Sequence, residues 1–328
     1  MRSEFLLAPR LRGDDSLNQK GFLYWLYLLA MTSALLASQA SAVELNILTT
    51  IRPLYGIVKS VAGNQNTVNI LIDQNQSPHD YHLKPSDMVK INAANAIFMI
   101  DDDFEFGLAT ALKKKHLVTK IIKFSSNIHL HLLKNREELD IDERDDERAH
   151  HHHHHDGAFD LHFWLDPNNA IVMASEVADV LGQLDPQNKK LYQSNAKEFA
   201  IKIEILDQKL NAKLAETNSS FITFHDGYQY FSRHYHLRNV GAVMMNHNIT
   251  PGVRSLIRLR NIIHDQHVKC LFSEPQYSTT AIDKIAAETG ARVGIIDGEY
   301  GTGLELDGEI YFNLINSIGD EMLRCFKK

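Results

Sequence analysis

The sequence has few cysteines, no excess of positive charge and one long apolar stretch. Two of its 328 residues are cysteines, Cys270 and Cys325, so a framework of several disulfides is excluded. Neither cysteine lies near the apolar stretch, and a lipid anchor at that point is not indicated. The formal net charge of −7 at pH 7 argues against binding to nucleic acid or anionic lipid. The length is ample for two lobes with separate cores.

The apolar stretch covers about residues 21–37 and is followed by Ala40-Ser41-Ala42. Four basic residues precede it: Arg2, Arg10, Arg12 and Lys20. This is the plan of a secretory signal, which we expect to be cleaved near Ala42. A single-span anchor is the alternative, although the apolar core is shorter than the about 20 residues that a membrane span needs. Export to an oxidising compartment favours a disulfide between Cys270 and Cys325 over two buried free thiols.

Short apolar runs alternate with helix-like segments in both halves of the remaining chain. In the first half we predict strands at 45–49, 68–72 and 96–100 and helices at 54–62 and 86–95. In the second half we predict strands at 221–224, 270–272 and 293–296 and helices at 227–236, 251–266, 280–289 and 311–325. Strands that alternate with helices favour βαβ units, so the fold class is α/β, with two lobes built on mainly parallel sheets.

Two helices headed by proline are predicted between the halves, at 166–185 and 186–214. The first has no glycine before Gly182, which indicates a rigid linking helix and not a loose hinge. The expected organisation is a signal peptide, an N-terminal lobe, the linking helix and a C-terminal lobe, at 1–42, 43–165, 166–185 and 186–328.

An acidic, histidine-rich segment interrupts the first half at 135–157. It has almost no apolar residue, so we predict a disordered surface loop. Six consecutive histidines lie in it: His150, His151, His152, His153, His154 and His155. A purification tag is the alternative, but tags sit at chain ends and this tract is internal. We interpret the tract as an auxiliary, low-affinity collector of metal ions that favour imidazole.

Further candidate ligands lie at strand ends or at a helix start: His79, His162, His225 and Asp297. Open α/β sheets hold ligands at the carboxyl ends of their strands, so these side chains can converge in a cleft between the lobes. A single histidine is more often a helix cap or a structural residue. The prediction therefore depends on the equivalent positions of all three histidines in the two halves. Several imidazoles with a water or a carboxylate suit tetrahedral Zn²⁺. Asp297, Asp80 or His82 could supply the fourth ligand.

Two aspartates lie beside predicted ligands, Asp80 after His79 and Asp226 after His225. They could orient the imidazoles as hydrogen-bond acceptors, and solvated side chains are an equal alternative. The remaining histidines on helices and loops are interpreted as surface or structural residues: His234, His236, His247, His264 and His267.

Four motifs carry a family resemblance. They are Pro78-His79-Asp80-Tyr81 with Lys84-Pro85-Ser86-Asp87, His162-Phe163-Trp164-Leu165-Asp166-Pro167, Phe224-His225-Asp226-Gly227-Tyr228-Gln229-Tyr230-Phe231, and Ser273-Glu274-Pro275-Gln276. In this order, over essentially the whole mature chain, they resemble the ZnuA-type periplasmic zinc-binding proteins of bacterial ABC uptake systems, a branch of the metal-binding solute-binding proteins. Two departures are Pro78, where some members have a glutamate, and 296–300, where many have Asp-Pro-Leu.

The resemblance implies a monomeric periplasmic solute-binding protein that catalyses no reaction. It would capture Zn²⁺ between its lobes and deliver it to a membrane permease driven by an ATPase. The matching residues imply that His79, His162 and His225 hold the zinc and that Cys270 and Cys325 form the family's disulfide. Manganese-binding relatives have a glutamate in place of the third histidine, which favours zinc over manganese. Because imidazole ligands must be neutral, we expect zinc affinity to weaken below about pH 6.5.

Two other functions remain as alternatives. A secreted zinc hydrolase would leave an open position for water and would need a general base nearby. Glu274 is the only glutamate in a motif, and the proline after it favours a packing turn. A metal-buffering protein would have its main site in the histidine-rich loop.

Overall fold

The computed structural model describes residues 44–72, 76–79, 81–114, 120–136, 158–244, 253–277 and 279–327. The predicted signal peptide and the six-histidine tract lie outside these residues. Among the helices of the described ranges, none is both long and apolar enough to cross a membrane. The chain from Glu44 onwards packs as one unit.

The first lobe is built on a four-stranded parallel sheet. Its elements are β1 Asn46–Thr49, α1 Arg52–Ala62, β2 Thr67–Ile70, α2 Pro85–Ala93, β3 Ala96–Met99, α3 Phe106–Lys114 and β4 Ile121–Lys123. The strand order is β2-β1-β3-β4. The sequence of β3, Ala-Ile-Phe-Met, is buried throughout because helices cover both faces of a parallel sheet.

Two long helices follow, α4 Pro167–Leu184 and α5 Lys189–Leu214. The first is capped by Asp166, whose side chain accepts a hydrogen bond from the backbone N–H of Asn168 at 2.9 Å, and proline occupies the first turn. A short 3-10 turn, Pro186–Asn188, separates the two helices, so the predicted helix at 186–214 begins three residues late.

The second lobe repeats the architecture of the first. Its elements are β5 Ser220–His225, α6 Gln229–His234, β6 Asn239–Met244, α7 Val253–Asp265, β7 Val268–Ser273, α8 Thr280–Thr289, β8 Arg292–Ile295 and α9 Ile310–Lys327. The parallel strand order is β6-β5-β7-β8. The predicted disulfide is confirmed, since Cys270 in β7 is bonded to Cys325 in α9 with a Cα–Cα distance of 6.2 Å.

Helix α1 of the first lobe contacts the segment that leads into α9. The side chains of Arg52, Tyr55 and Ser60 donate hydrogen bonds to backbone carbonyls, at 2.9 Å to Leu304, 3.4 Å to Leu306 and 2.7 Å to Gly308. These bonds join the two lobes.

The predicted fold class, two α/β lobes with parallel sheets joined by a long helix, is confirmed. Three elements were not predicted: α3, β4 and β6. Strand β4 has only three residues, and β6 carries Gly241 in its middle, so neither presents an apolar run of ordinary length.

Candidate metal centre

Four side chains converge between the two lobes: His79, His162, His225 and Glu299. Each offers one ligand atom, and the four atoms lie within 4.8 Å of one another. Nε2 of His162 is 3.1 Å from Nε2 of His225 and 3.1 Å from Oε1 of Glu299. The same oxygen is 3.6 Å from Nε2 of His79 and 3.9 Å from Nε2 of His225.

The separations of 3.1 to 3.9 Å are close to those of a small tetrahedral site. With bonds of about 2.0 to 2.1 Å, tetrahedral zinc would hold its ligand atoms about 3.3 Å apart. The second oxygen of Glu299 is buried and accepts no hydrogen bond within the described part of the chain. Three imidazoles and one carboxylate therefore form a donor set that fits Zn²⁺ without large movement.

The strands place these ligands at the cleft. His79 lies in the loop after β2, and His225 is the last residue of β5. His162 directly precedes the 3-10 turn Phe163–Leu165, and Glu299 lies four residues beyond the end of β8. Each lobe thus supplies two ligands from the carboxyl ends of its strands or from the helix start that follows them.

Aromatic side chains pack against the imidazoles on the side of the first lobe. The Phe104 ring meets His79 edge-on with centroids 4.4 Å apart, and Trp164 lies 5.2 Å from His162. The Trp164 indole donates a 2.9 Å hydrogen bond to the carbonyl of Gly298. The residue before Glu299 is thereby tied to the first lobe.

Asp297, the predicted fourth ligand, has a different environment. Its carboxylate accepts hydrogen bonds from the backbone N–H groups of Glu299, Tyr300 and Thr302 at 3.2, 2.8 and 2.8 Å. Asp297 is not one of the four converging residues, and Glu299, two positions further on, is. The sequence carried one signal for Glu299, which is its place in the loop after the last strand of the sheet.

Carboxylates contact two of the imidazoles at Nδ1, the ring nitrogen that faces away from the other ligand atoms. Asp160 Oδ1 lies 2.8 Å from His162 Nδ1, and Glu274 Oε1 lies 3.1 Å from His225 Nδ1. Asp226 does not take this role for His225, because it forms an ion pair with Arg136. Asp80 lies outside the described residues, and His82 is exposed and is not among the four converging residues.

Gly227 lies against two of the ligands. A Cβ at this position would meet the ring of His225 and lie 3.1 Å from Cδ2 of His162. The glycine in the motif around His225 therefore allows the backbone to approach the imidazoles closely.

The polar groups of the site perturb one another strongly. Burial lowers the pKa of His162, but hydrogen bonds to Asp160 and Glu299 outweigh it and raise it to about 10. Burial and the positive charge of His162 lower the pKa of His225 to about 3. Burial opposes ionisation of Glu299, yet hydrogen bonds from His162 and His79 hold its pKa well below the usual range. Zinc must displace the proton on His162, so we expect its affinity to rise with pH.

The four ligands differ in their contact with solvent. The exposed fraction of the His79 side chain is 22%, whereas those of His162, His225 and Glu299 are 10%, 6% and 4%. A small pocket adjoins the site, and Glu299 and Pro78 are among the residues that line it. The site is thus nearly closed.

Comparison with known proteins shows which family this chain resembles. The model of one family, described as the periplasmic component A of the zinc-uptake complex (ZnuA), matches residues 47–325. The chain belongs to this family. The ZnuA family relatives include the high-affinity zinc uptake system protein ZnuA of Brucella suis biovar 1 (strain 1330), which is 30% identical over 332 residues, covering 92% of this chain and 99% of the relative. The ZnuA of Yersinia pestis is 29% identical, and the match covers 92% of this chain and 98% of the relative.

Solved structures share the fold of this ZnuA family member. A mutant of the laminin-binding adhesin Lmb from Streptococcus agalactiae superposes with a TM-score of 0.72 at 22% identity, covering 86% of this chain and 99% of that one. A crystal structure of ZnuA gives a TM-score of 0.70 at 24% identity, and the match covers 86% of this chain and 99% of that one.

Proposed function

We propose that this protein is the zinc-binding component of an ABC-type uptake system. It captures Zn²⁺ between its two lobes in the periplasm and delivers it to a membrane permease powered by an ATPase. The observation that carries the proposal is the convergence of His79, His162, His225 and Glu299 from both lobes, with ligand atoms within 4.8 Å. Membership of the ZnuA family supplies the transport context.

The proposal assigns the remaining parts of the chain as follows. Residues 1–42 are a cleaved signal peptide, 43–165 and 186–328 are the lobes, and 166–185 is the linking helix. The protein acts as a monomer. The histidines at 150–155 serve as an auxiliary collector of zinc. In place of Asp297 we propose Glu299 as the fourth ligand, with Asp297 holding the turn that presents it.

The site is a binding site and not an active site. A hydrolase needs an open position for water and a base beside it. Here Glu299 stands at the fourth position, and Oε1 of Glu274 is hydrogen-bonded to His225. Three nitrogen ligands also suit zinc better than manganese. The zinc-loaded protein should therefore hydrolyse neither a generic ester nor a generic peptide.

Zinc titration by calorimetry, with a competing chelator, tests the proposal. The protein without residues 137–157 should keep one tight site. His79→Ala, His162→Ala, His225→Ala and Glu299→Gln should each remove or greatly weaken it. Asp297→Asn is the matched control, since it retains an acceptor oxygen for the backbone and should leave the affinity within a few-fold of the parent.

Two results would contradict this assignment. In the first, tight binding is lost when residues 137–157 are removed but is unchanged by the four substitutions. The histidine tract is then the main site and the protein is a metal buffer. If Asp297→Asn weakens binding as much as Glu299→Gln does, the assignment of the fourth ligand to Glu299 in place of Asp297 is contradicted.

A further inference from the structure

The carboxyl group of Glu274 lies behind the metal centre, on the side of His225 that faces away from the other ligands. We infer that Glu274 is a positioning residue, which holds the imidazole of His225 with Nε2 turned towards the zinc. This inference rests on the proposed zinc-binding function. Glu274 itself is not one of the four converging residues.

The sheet register places the two residues together. Strands β5 and β7 are parallel neighbours in which Thr223 pairs with Phe272. His225 and Glu274 each lie two residues further along, so they leave the same edge of the sheet side by side. Their backbone positions are therefore fixed by the core of the second lobe and do not depend on the ion.

The hydrogen bond determines which ring nitrogen is free. Glu274 Oε1 lies 3.1 Å from Nδ1 of His225. A neutral imidazole has one N–H, and a carboxyl oxygen at Nδ1 keeps that hydrogen there, so Nε2 retains its lone pair for a metal. On the opposite side of the ring, Nε2 lies 3.1 Å from Nε2 of His162 and 3.9 Å from Glu299.

The second oxygen of Glu274 is also held. Nε2 of Gln276 donates a hydrogen bond to Oε2 at 3.3 Å, and the side chain of Glu274 is only 3% exposed. A buried carboxyl group with both oxygens in use has little freedom to rotate. Rotation of His225 away from the cleft would leave this group without its partner, which is unfavourable in the interior.

The neighbouring acidic residue provides a matched control. Asp226 follows His225 directly in the sequence, but its carboxylate pairs with Arg136. Asp226→Asn therefore removes a negative charge close to His225 without removing the hydrogen bond at Nδ1.

The test uses the full mature chain with Glu274→Ala, Glu274→Gln and Asp226→Asn. Zinc affinity is measured by chelator competition, and the coordination of Co²⁺ as a probe is read from its visible absorption spectrum. Glu274→Ala should weaken zinc binding about 10- to 100-fold and change the cobalt bands, because the His225 ring is no longer held. Glu274→Gln keeps an acceptor oxygen and should lose less. Asp226→Asn should match the wild type in both measurements.

Several outcomes would overturn the inference. Wild-type zinc affinity and cobalt bands in Glu274→Ala would do so, and so would equal losses in Glu274→Ala and Asp226→Asn. A loss in Glu274→Gln as large as in Glu274→Ala would assign the effect to charge and not to the hydrogen bond.

A folding control and a separate control on the wild type complete the design. If circular dichroism shows that Glu274→Ala does not fold, Glu274→Asp is used in its place. Its shorter side chain moves the carboxylate away from His225 and should weaken zinc binding. Unchanged zinc binding in Glu274→Asp would contradict the positioning role. Failure of the wild type to bind zinc would instead contradict the proposed function.

Discussion

His234 shows how one imidazole outside the metal centre is controlled by the carboxylates it meets. Its Nε2 lies 2.7 Å from Asp207 in α5, and its Nδ1 lies 3.4 Å from Asp166, the cap of α4. Asn168 and the ring of Tyr235 also contact it. Burial lowers the pKa of His234, but the hydrogen bonds to Asp166 and Asp207 outweigh it and raise the pKa above its ordinary value. His234 thus ties α6 to both long helices.

Replacement of His234 by alanine should destabilise the protein in a pH-dependent way. The imidazole of the unfolded chain has a pKa of about 6.5. Because the pKa in the folded protein is higher, the stabilisation is complete below pH 6.5 and is lost as the pH rises through the folded value. Urea unfolding should show a loss of about 1.5 kcal/mol or more at pH 6 and a smaller loss at pH 9.

His264 offers the control for this measurement. It is hydrogen-bonded to Asp265 but its side chain is 87% exposed, so His264→Ala should change the free energy of unfolding little at either pH. A loss for His234→Ala that is the same at pH 6 and pH 9 would show that packing, and not the charged hydrogen bonds, accounts for it.

Three of the four converging side chains were predictable from the sequence, since they lie at strand ends or, for His162, at a helix start. His79 and His225 follow apolar runs that could be read as strands, and the structure brings both to the cleft. Glu299 could not be distinguished from Asp297, because the choice depends on a turn closed by three backbone N–H groups. Glu274 was not recognised as the partner of His225, since this pairing arises from tertiary packing. Asp160 lies only two residues before His162, and this local signal was not recognised.

Helices α1 and α9 approach closely at a glycine. A Cβ on Gly56 would lie 2.7 Å from the backbone nitrogen of Tyr311 and 2.8 Å from Cγ2 of Ile310. Backbone atoms cannot move aside as a flexible side chain can. Close contact between these helices therefore requires a glycine at position 56.

Gly56→Ala should lower the free energy of unfolding by about 1 to 3 kcal/mol, because the added methyl group overpacks the contact between α1 and α9. The matched control is Gly308→Ala, where the new Cβ would lie 3.7 Å from Oγ of Ser60 and 4.0 Å from Cγ of Lys59, which are ordinary van der Waals distances. There alanine should leave stability equal or raise it by up to about 1 kcal/mol. Equal destabilisation in both variants, measured by urea unfolding, would refute this account.

At the level of elements, long periodic segments were predictable and short ones were not. The helices at 280–289 and 166–185 were placed within one residue of the observed ends, since proline or a periodic apolar stripe marks them. Strand β4, with three residues, and β6, interrupted by a glycine, depend on their neighbours in the sheet for their existence. Such pairing is not encoded in a local pattern.

In the whole molecule, the four proposed zinc ligands come from both lobes. His79 and His162 belong to the first lobe and His225 and Glu299 to the second. An ion held by all four binds the folded chain and has no equivalent site in the unfolded one. Binding free energy is therefore added to the stability of the folded protein.

Zinc should raise the free energy of unfolding of the protein lacking residues 137–157 by about 2.7 kcal/mol when free zinc is 100 times the dissociation constant. Urea unfolding at fixed pH, with and without a chelator, measures this increment. In His225→Ala the increment should disappear at the same zinc concentration. An increment that survives this substitution would indicate stabilisation by zinc at another place.

The two-lobed architecture was predictable because alternation of strands and helices recurs on both sides of two long helices. The strand orders, β2-β1-β3-β4 and β6-β5-β7-β8, place the first strand of each lobe at the same position in its sheet. The contacts between the lobes were not predictable, since they involve residues about 250 positions apart in the chain.

Those contacts between α1 and the segment 304–308 have an evolutionary consequence. The donors are side chains of Arg52, Tyr55 and Ser60, but every acceptor is a backbone carbonyl. Any residue at 306 or 308 presents the same oxygen, so these hydrogen bonds constrain α1 and not the identity of its partner there, whereas Leu304 is constrained by its own packing against the core. Descendants of this chain can therefore change the exposed side chains of that segment and still keep the hydrogen bonds between the lobes.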